Sequence, residues 1–149
     1  MKNQELIRFL NRLLSNYFVM YVKCHRYHWY VKGQQFFTLH HVFEEIYQMI
    51  GQEIDVIAER IFMIGGRPLA TMSKYLDECT LVEASADDEV EEIIAQLKHD
   101  FLQLTKDIQT DGLPLAEAQQ DEPTIDLLIT NQGKLEKYIW MLSAYSEYQ

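Results

Sequence analysis

Between Leu39 and Ile64, apolar side chains recur every three or four residues at Leu39, Phe43, Ile46, Ile50, Ile54, Ile57, Ile61 and Ile64, and no proline interrupts them before "GGRP" at Gly65 to Pro68. That spacing draws a single apolar stripe along a helix, so the segment is predicted as one long helix that must bury its stripe against others. Three further segments supply partners. Leu6, Leu10, Leu13 or Leu14, Tyr17, Tyr21 and Cys24 form a first helix ending near Gly33. Val90, Ile93 or Ile94, Leu97, Phe101, Leu104 and Ile108 form a third, opened by a Ser85/Asp88 capping box and closed by Asp111, Gly112 and Pro114. Ile125, Leu128, Leu135, Ile139 and Leu142 form a last helix, entered at Asp121, Glu122 and Pro123, where proline suits a first turn.

Between the second and third helices lie about twenty residues, with only the short helical stretch "TMSKYLDE" among them. A connection of that length implies a crossover, and the expected fold is an all-α four-helix bundle with a short extra helix between helices two and three. The 149 residues, 48% of them hydrophobic, are expected to form a single domain spanning 1–149. No leader pattern and no uninterrupted membrane-length apolar run appears, and Cys24 and Cys79 make neither a CxxC pair nor a disulfide framework, so a soluble cytoplasmic protein is expected. A formal net charge of −10 disfavours a general nucleic-acid binder and favours cations as partners.

Position decides where those cations go. Four of the five histidines, His25, His28, His40 and His41, crowd around the Gly33 turn. His40 and Glu44 are four residues apart, as are Asp55 and Glu59, so each pair projects from one helix face. Imidazoles with carboxylates and no thiolate pair suit iron, manganese or zinc. His28 can fold back beside His40, while His25, His41 and His99 are expected to serve packing or hydrogen bonding. Asp55 and Glu59, read as standing among Ile54, Ile57 and Ile61, would be costly without a cation.

At ~1.5 Å rise per residue, His40 and Asp55 lie about 22 Å apart on an unbroken helix, too far to share an ion. A symmetry-related copy, packed antiparallel about a two-fold axis near Met49 to Gly51, would bring the histidine end of one chain to the carboxylate end of the other. Gly51 would then permit close backbone approach.

The string His28-Trp29-Tyr30-Val31-Lys32-Gly33, followed by Phe36-Phe37-Thr38-Leu39-His40, Asp55-Val56-Ile57-Ala58-Glu59-Arg60-Ile61, Gly65-Gly66 and Tyr138-Ile139-Trp140-Met141-Leu142, resembles the Dps mini-ferritins over most of the chain. The resemblance implies a ferritin-like bundle assembled as a hollow homo-dodecamer. It also implies a ferroxidase that oxidises Fe²⁺ with hydrogen peroxide at inter-subunit sites and stores ferric mineral, protecting against oxidative damage. His28 and His40 of one subunit would face Asp55 and Glu59 of another, these four being the catalytic metal ligands. Glu44, at a position where members often carry Asp, would be a further ligand. Trp29 would lie near the site. Asp121, Glu122 and Asp126, although acids also favour a helix start, would line an iron-entry pore.

Two other readings remain open at this level. One is a non-enzymatic nucleoid or DNA-protecting structural protein of the same fold. The other is a carboxylate-bridged oxidase of an organic substrate, which would need the Glu-x-x-His pairs of an intra-bundle site; no histidine here has Glu three residues before it. The DNA reading meets an electrostatic objection. Only Lys2 precedes the first helix, "SAYSEYQ" carries no base, and a dodecamer would carry roughly −120 formally. Metal-free protein is therefore expected to leave duplex DNA unretarded in a gel shift at moderate salt with chelator present. Tight, salt-sensitive retention would contradict the charge argument.

Overall fold

A computed structural model describes residues 3–85 and 89–147 of the chain. Its helices are α1 (Gln4–Tyr30), α2 (Phe36–Met63), α3 (Met72–Glu78), α4 (Val90–Asp107), α5 (Leu113–Ala118) and α6 (Glu122–Glu147), and no strand occurs among the described residues. The fold is the four-helix bundle expected, with α3 as the short helix of the crossover. α1 packs along α2, and α4 along α6, around a core built from Leu10, Tyr17, Phe43, Ile50, Phe101 and Leu128. None of the described helices is long and apolar enough to cross a membrane.

Glycine sets both ends of α2. Before it, Gly33 adopts φ 104° and its carbonyl accepts from the Phe36 N–H, reversing the chain within a few residues of α1. After it, Gly65 adopts φ 91°, and the Gly66 and Gly65 N–H groups donate to the carbonyls of Ile61 and Phe62. This crossed pair of bonds satisfies carbonyls that the helix end would otherwise orphan.

Polar side chains on α1 then fasten the crossover. The Asn11 side chain accepts from the Leu69 N–H and donates to the Arg67 carbonyl, and buried Asn16 accepts from the N–H groups of Thr80 and Leu81. Lys23, also buried, donates to the Val82 carbonyl and forms an ion pair with Asp100 of α4. The bonds of Asn16 and Lys23 satisfy groups that burial would otherwise leave without partners.

The third long helix begins and ends differently from its sequence pattern. Glu89 is its N-cap residue and gives no side-chain cap, while Asp88 of the expected capping box lies outside the described residues. At the other end, Gly112 and Pro114 do not terminate the helical path. A π-turn over Ile108–Gly112 leads directly into α5, with Pro114 in the first turn of that helix. The reason for Gly112 is steric: a Cβ there would stand 2.5 Å from Phe9 Cε2 and 3.2 Å from Leu128 Cδ1. Gly112→Ala should therefore destabilise the fold. Displacing the buried Phe9 ring costs about 1–3 kcal/mol, which exceeds or cancels the gain of roughly 1 kcal/mol in helix propensity, and a lowered urea midpoint would register the difference.

Candidate metal centre

The Gly33 turn lays the last turn of α1 against the first turns of α2, and two histidines clasp each other there. His28 Nδ1 donates to the His40 carbonyl at 2.6 Å, and His40 Nδ1 donates to the His28 carbonyl at 2.7 Å. The rings stack with centroids 3.7 Å apart and planes 15° from parallel. With each Nδ1 committed to a carbonyl that can only accept, the proton is fixed there and each Nε2 lone pair is left for an electrophile. Phe36 stacks on the far side of His40, and Tyr47 meets His28 edge-on. Glu44 Oε1 stands 3.9 Å from His28 Nε2, placing its carboxylate beside the free nitrogen.

The other histidines take no part in this pair. His25 turns its Nδ1 to the Tyr21 carbonyl and stacks on Tyr47 at 3.7 Å. His41 and His99 are exposed rather than packed, the first beside Glu45 and the second beside Asp100. Trp29 is 65% exposed in the single chain, and its ring lies against that of His25.

Asp55 and Glu59 lie farther along α2, which runs without a break from Phe36 to Met63, so about 22 Å separates His40 from Asp55 at the helical rise. Their surroundings differ from the sequence expectation. Ile57 and Ile61 are fully buried, but Asp55 and Glu59 project to the opposite, exposed side with Val56 and Phe62. Within one chain they carry no desolvation cost, and among the described residues no three His, Cys, Asp or Glu side chains converge as a metal cage. The chain thus presents a histidine half-site at one end of α2 and a carboxylate pair at the other. Gly51 is likewise explained within the chain, since a Cβ there would lie 3.0 Å from Tyr21 Cε1.

The buried carboxylate of α2 is Glu53, which sequence reasoning missed. It is 5% exposed and bound by Asn131 and Lys134. Its position, three after Ile50 and four before Ile57, falls in the core stripe and was the available signal.

At the entrance to α6, the three acids differ from one another. Asp121 caps the helix, accepting from the Thr124 N–H and hydroxyl, and pairs with the Arg60 guanidinium at 2.6 Å. Glu122 and Asp126 are exposed. Burial pushes the Asp121 carboxyl upward, but the Thr124 hydrogen bonds and Arg60 outweigh it and hold the group below the usual carboxylate range.

Comparison with known proteins places the fold. Residues 7–148 match the ferritin-like domain family. DNA protection during starvation protein 2 of Bacillus anthracis is 41% identical over 143 residues, covering 96% of this chain and 97% of that one. The crystal structure of a Dps protein from Bacillus brevis superposes with a TM-score of 0.94 at 38% identity, over 97% and 96% of the two chains. That of a Dps protein from Vibrio cholerae O1, described as a member of a broad superfamily of ferritin-like diiron-carboxylate proteins, superposes at 0.92 with 36% identity, over 97% and 90%.

The Asp121 environment gives a pH test. Because its folded pKa is depressed, its contribution is fully present above the ordinary carboxylate value of ~4 and fades as pH falls through the lower folded value. Asp121→Ala should cost about 1–2 kcal/mol at neutral pH through the lost cap and ion pair, and urea midpoints from pH 7 to pH 3 should show the gap to the parent narrowing below pH 4.

Proposed function

The chain belongs to the ferritin-like family, among the Dps proteins, and on that premise we propose that it is a ferroxidase and iron-storage mini-ferritin. Its active unit is a pair of subunits. The observation that carries this reading is the reciprocal His28–His40 clasp, with two free Nε2 atoms at one end of a continuous α2 and two exposed carboxylates about 22 Å away. A two-fold axis across α2 would join one chain's His28 and His40 to another's Asp55 and Glu59 at each of two equivalent positions.

In such a site Fe²⁺ is the substrate. The carboxylates of Asp55 and Glu59 bring negative charge to the cation, and the imidazoles bind it through Nε2 without reorganising. Glu44 joins as a ligand or through a water. Hydrogen peroxide accepts two electrons and so consumes two Fe²⁺ ions, and hydrolysis of the Fe³⁺ formed releases protons and ferric oxyhydroxide. Removing both reagents together also withholds them from hydroxyl-radical chemistry. The mineral would collect in the cavity of a cytoplasmic twelve-subunit shell, reached past Glu122 and Asp126, with Asp121 held by Arg60 at the start of the same helix. The net charge of −10 per chain supports storage over tight, direct DNA contact.

Two measurements test the proposal. Purified assembly should oxidise Fe²⁺ much faster with peroxide than with oxygen, and a rate equal to that of buffer with both oxidants would refute it. The second uses two defective variants, His28→Ala/His40→Ala and Asp55→Ala/Glu59→Ala, each expected to assemble and to lose at least about tenfold in initial rate. In a mixed two-fold pair, one boundary receives both intact halves, so co-assembled shells should recover part of the activity. Mixed shells verified by mass spectrometry but still inactive would rule out a shared site.

A further inference from the structure

At the far end of α2 a thioether stands beside a fixed cation. Met63 is 70% exposed, more than any other described methionine, and its Sδ accepts from Arg60 Nη1 at 3.8 Å. The guanidinium is held in place from α6, where its Nε donates to the Thr124 hydroxyl at 2.9 Å and its Nη2 to the Asp121 carboxylate at 2.6 Å. Both acceptors are anchored in turn, since Asp121 also accepts from the Thr124 N–H and hydroxyl. The start of α6 thus aims the remaining N–H edge of Arg60 at a sulfur one turn along α2. A side chain that exposed buries little of its length, so packing does not account for a thioether at this position.

We propose that Met63 is a peroxide-reactive modification site, activated by Arg60. The sulfur lone pair attacks one oxygen of hydrogen peroxide, so that an S–O bond forms and the O–O bond breaks. Sulfur gives up two electrons, and the departing hydroxide takes the proton of the transferred oxygen and leaves as water, yielding methionine sulfoxide. Negative charge develops on the departing oxygen, where a cationic N–H already in place stabilises it. The sulfoxide oxygen accepts more strongly than the thioether did, so Arg60 Nη1 keeps a partner after the reaction. The step consumes peroxide and needs no metal, so the inference does not rest on the iron reading. It also turns an apolar side chain polar at the end of α2 where Phe62 is exposed.

The test treats the assembled, metal-free protein with hydrogen peroxide and chelator, with N-acetylmethionine amide in the same tube as a fully exposed thioether. Digestion and mass spectrometry then give the rate at which each methionine gains an oxygen. Burial can only slow a protein methionine relative to the free compound, yet Met63 should oxidise about threefold to tenfold faster, the range that an added hydrogen bond in the transition state supplies. Met72, 55% exposed on α3, should oxidise no faster than the free compound. Arg60→Gln should bring Met63 down to that same limit, while Met20, fully buried, stays unoxidised and reports a closed bundle. A parent Met63 no faster than the free compound overturns the proposal, and so does an advantage that persists in Arg60→Gln with Met20 intact. Should Arg60→Gln open the bundle and expose Met20, the parent rate against the free compound decides, since that comparison needs no variant.

Discussion

The rigid rise of one helix governs this molecule. α2 extends from Phe36 to Met63 with no proline inside it, and at ~1.5 Å per residue its chemistry-bearing ends cannot meet. Under the proposed function, the chain's metal chemistry follows from that separation. A bundle that placed its ligands on facing helices could close a cage by itself. In the proposed site the candidate ligands stand at the two ends of one rod, with His28 of α1 beside the first end, so the distance between them would dictate how a second copy lies. Asp55 and Glu59 are exposed in the single chain, and so are open to such a copy.

Most of the architecture is legible in the apolar periods, since Leu39 through Ile64 can satisfy their spacing only as a helix. The crossover is legible from its length. What the pattern misreads is instructive. Gly112 followed by Pro114 has the composition of a helix stop, yet the chain continues through a π-turn, and the glycine is there because Phe9 leaves no room for a Cβ. A contact some hundred residues distant in sequence leaves no local trace. Gly51 shows the same blindness, its partner Tyr21 lying on the neighbouring helix.

The candidate site is legible to a similar depth. Residue types and spacing single out His28, His40, Asp55 and Glu59, but not the hydrogen bonds that choose among the histidines. His25 and His28 lie one turn apart on α1, and only the three-dimensional structure reveals that one faces the Tyr21 carbonyl and the other the carbonyl of His40. Glu53 and Asp55 present a parallel lesson. Two carboxylates two residues apart point to opposite sides of a helix, so one becomes a core group neutralised by Lys134 while the other meets solvent.

The clasp between His28 and His40 carries a thermodynamic consequence. Each imidazole is oriented by the backbone of the other, so the pair behaves as one unit with a shared conformational entropy already lost on folding. A metal bound there, as proposed, would spend little of its affinity on freezing rotamers. The stacking they share makes the two histidines energetically non-additive: a change at either one removes the stacking and frees its neighbour's carbonyl, while the neighbour's ring keeps its bond to the unaltered backbone carbonyl.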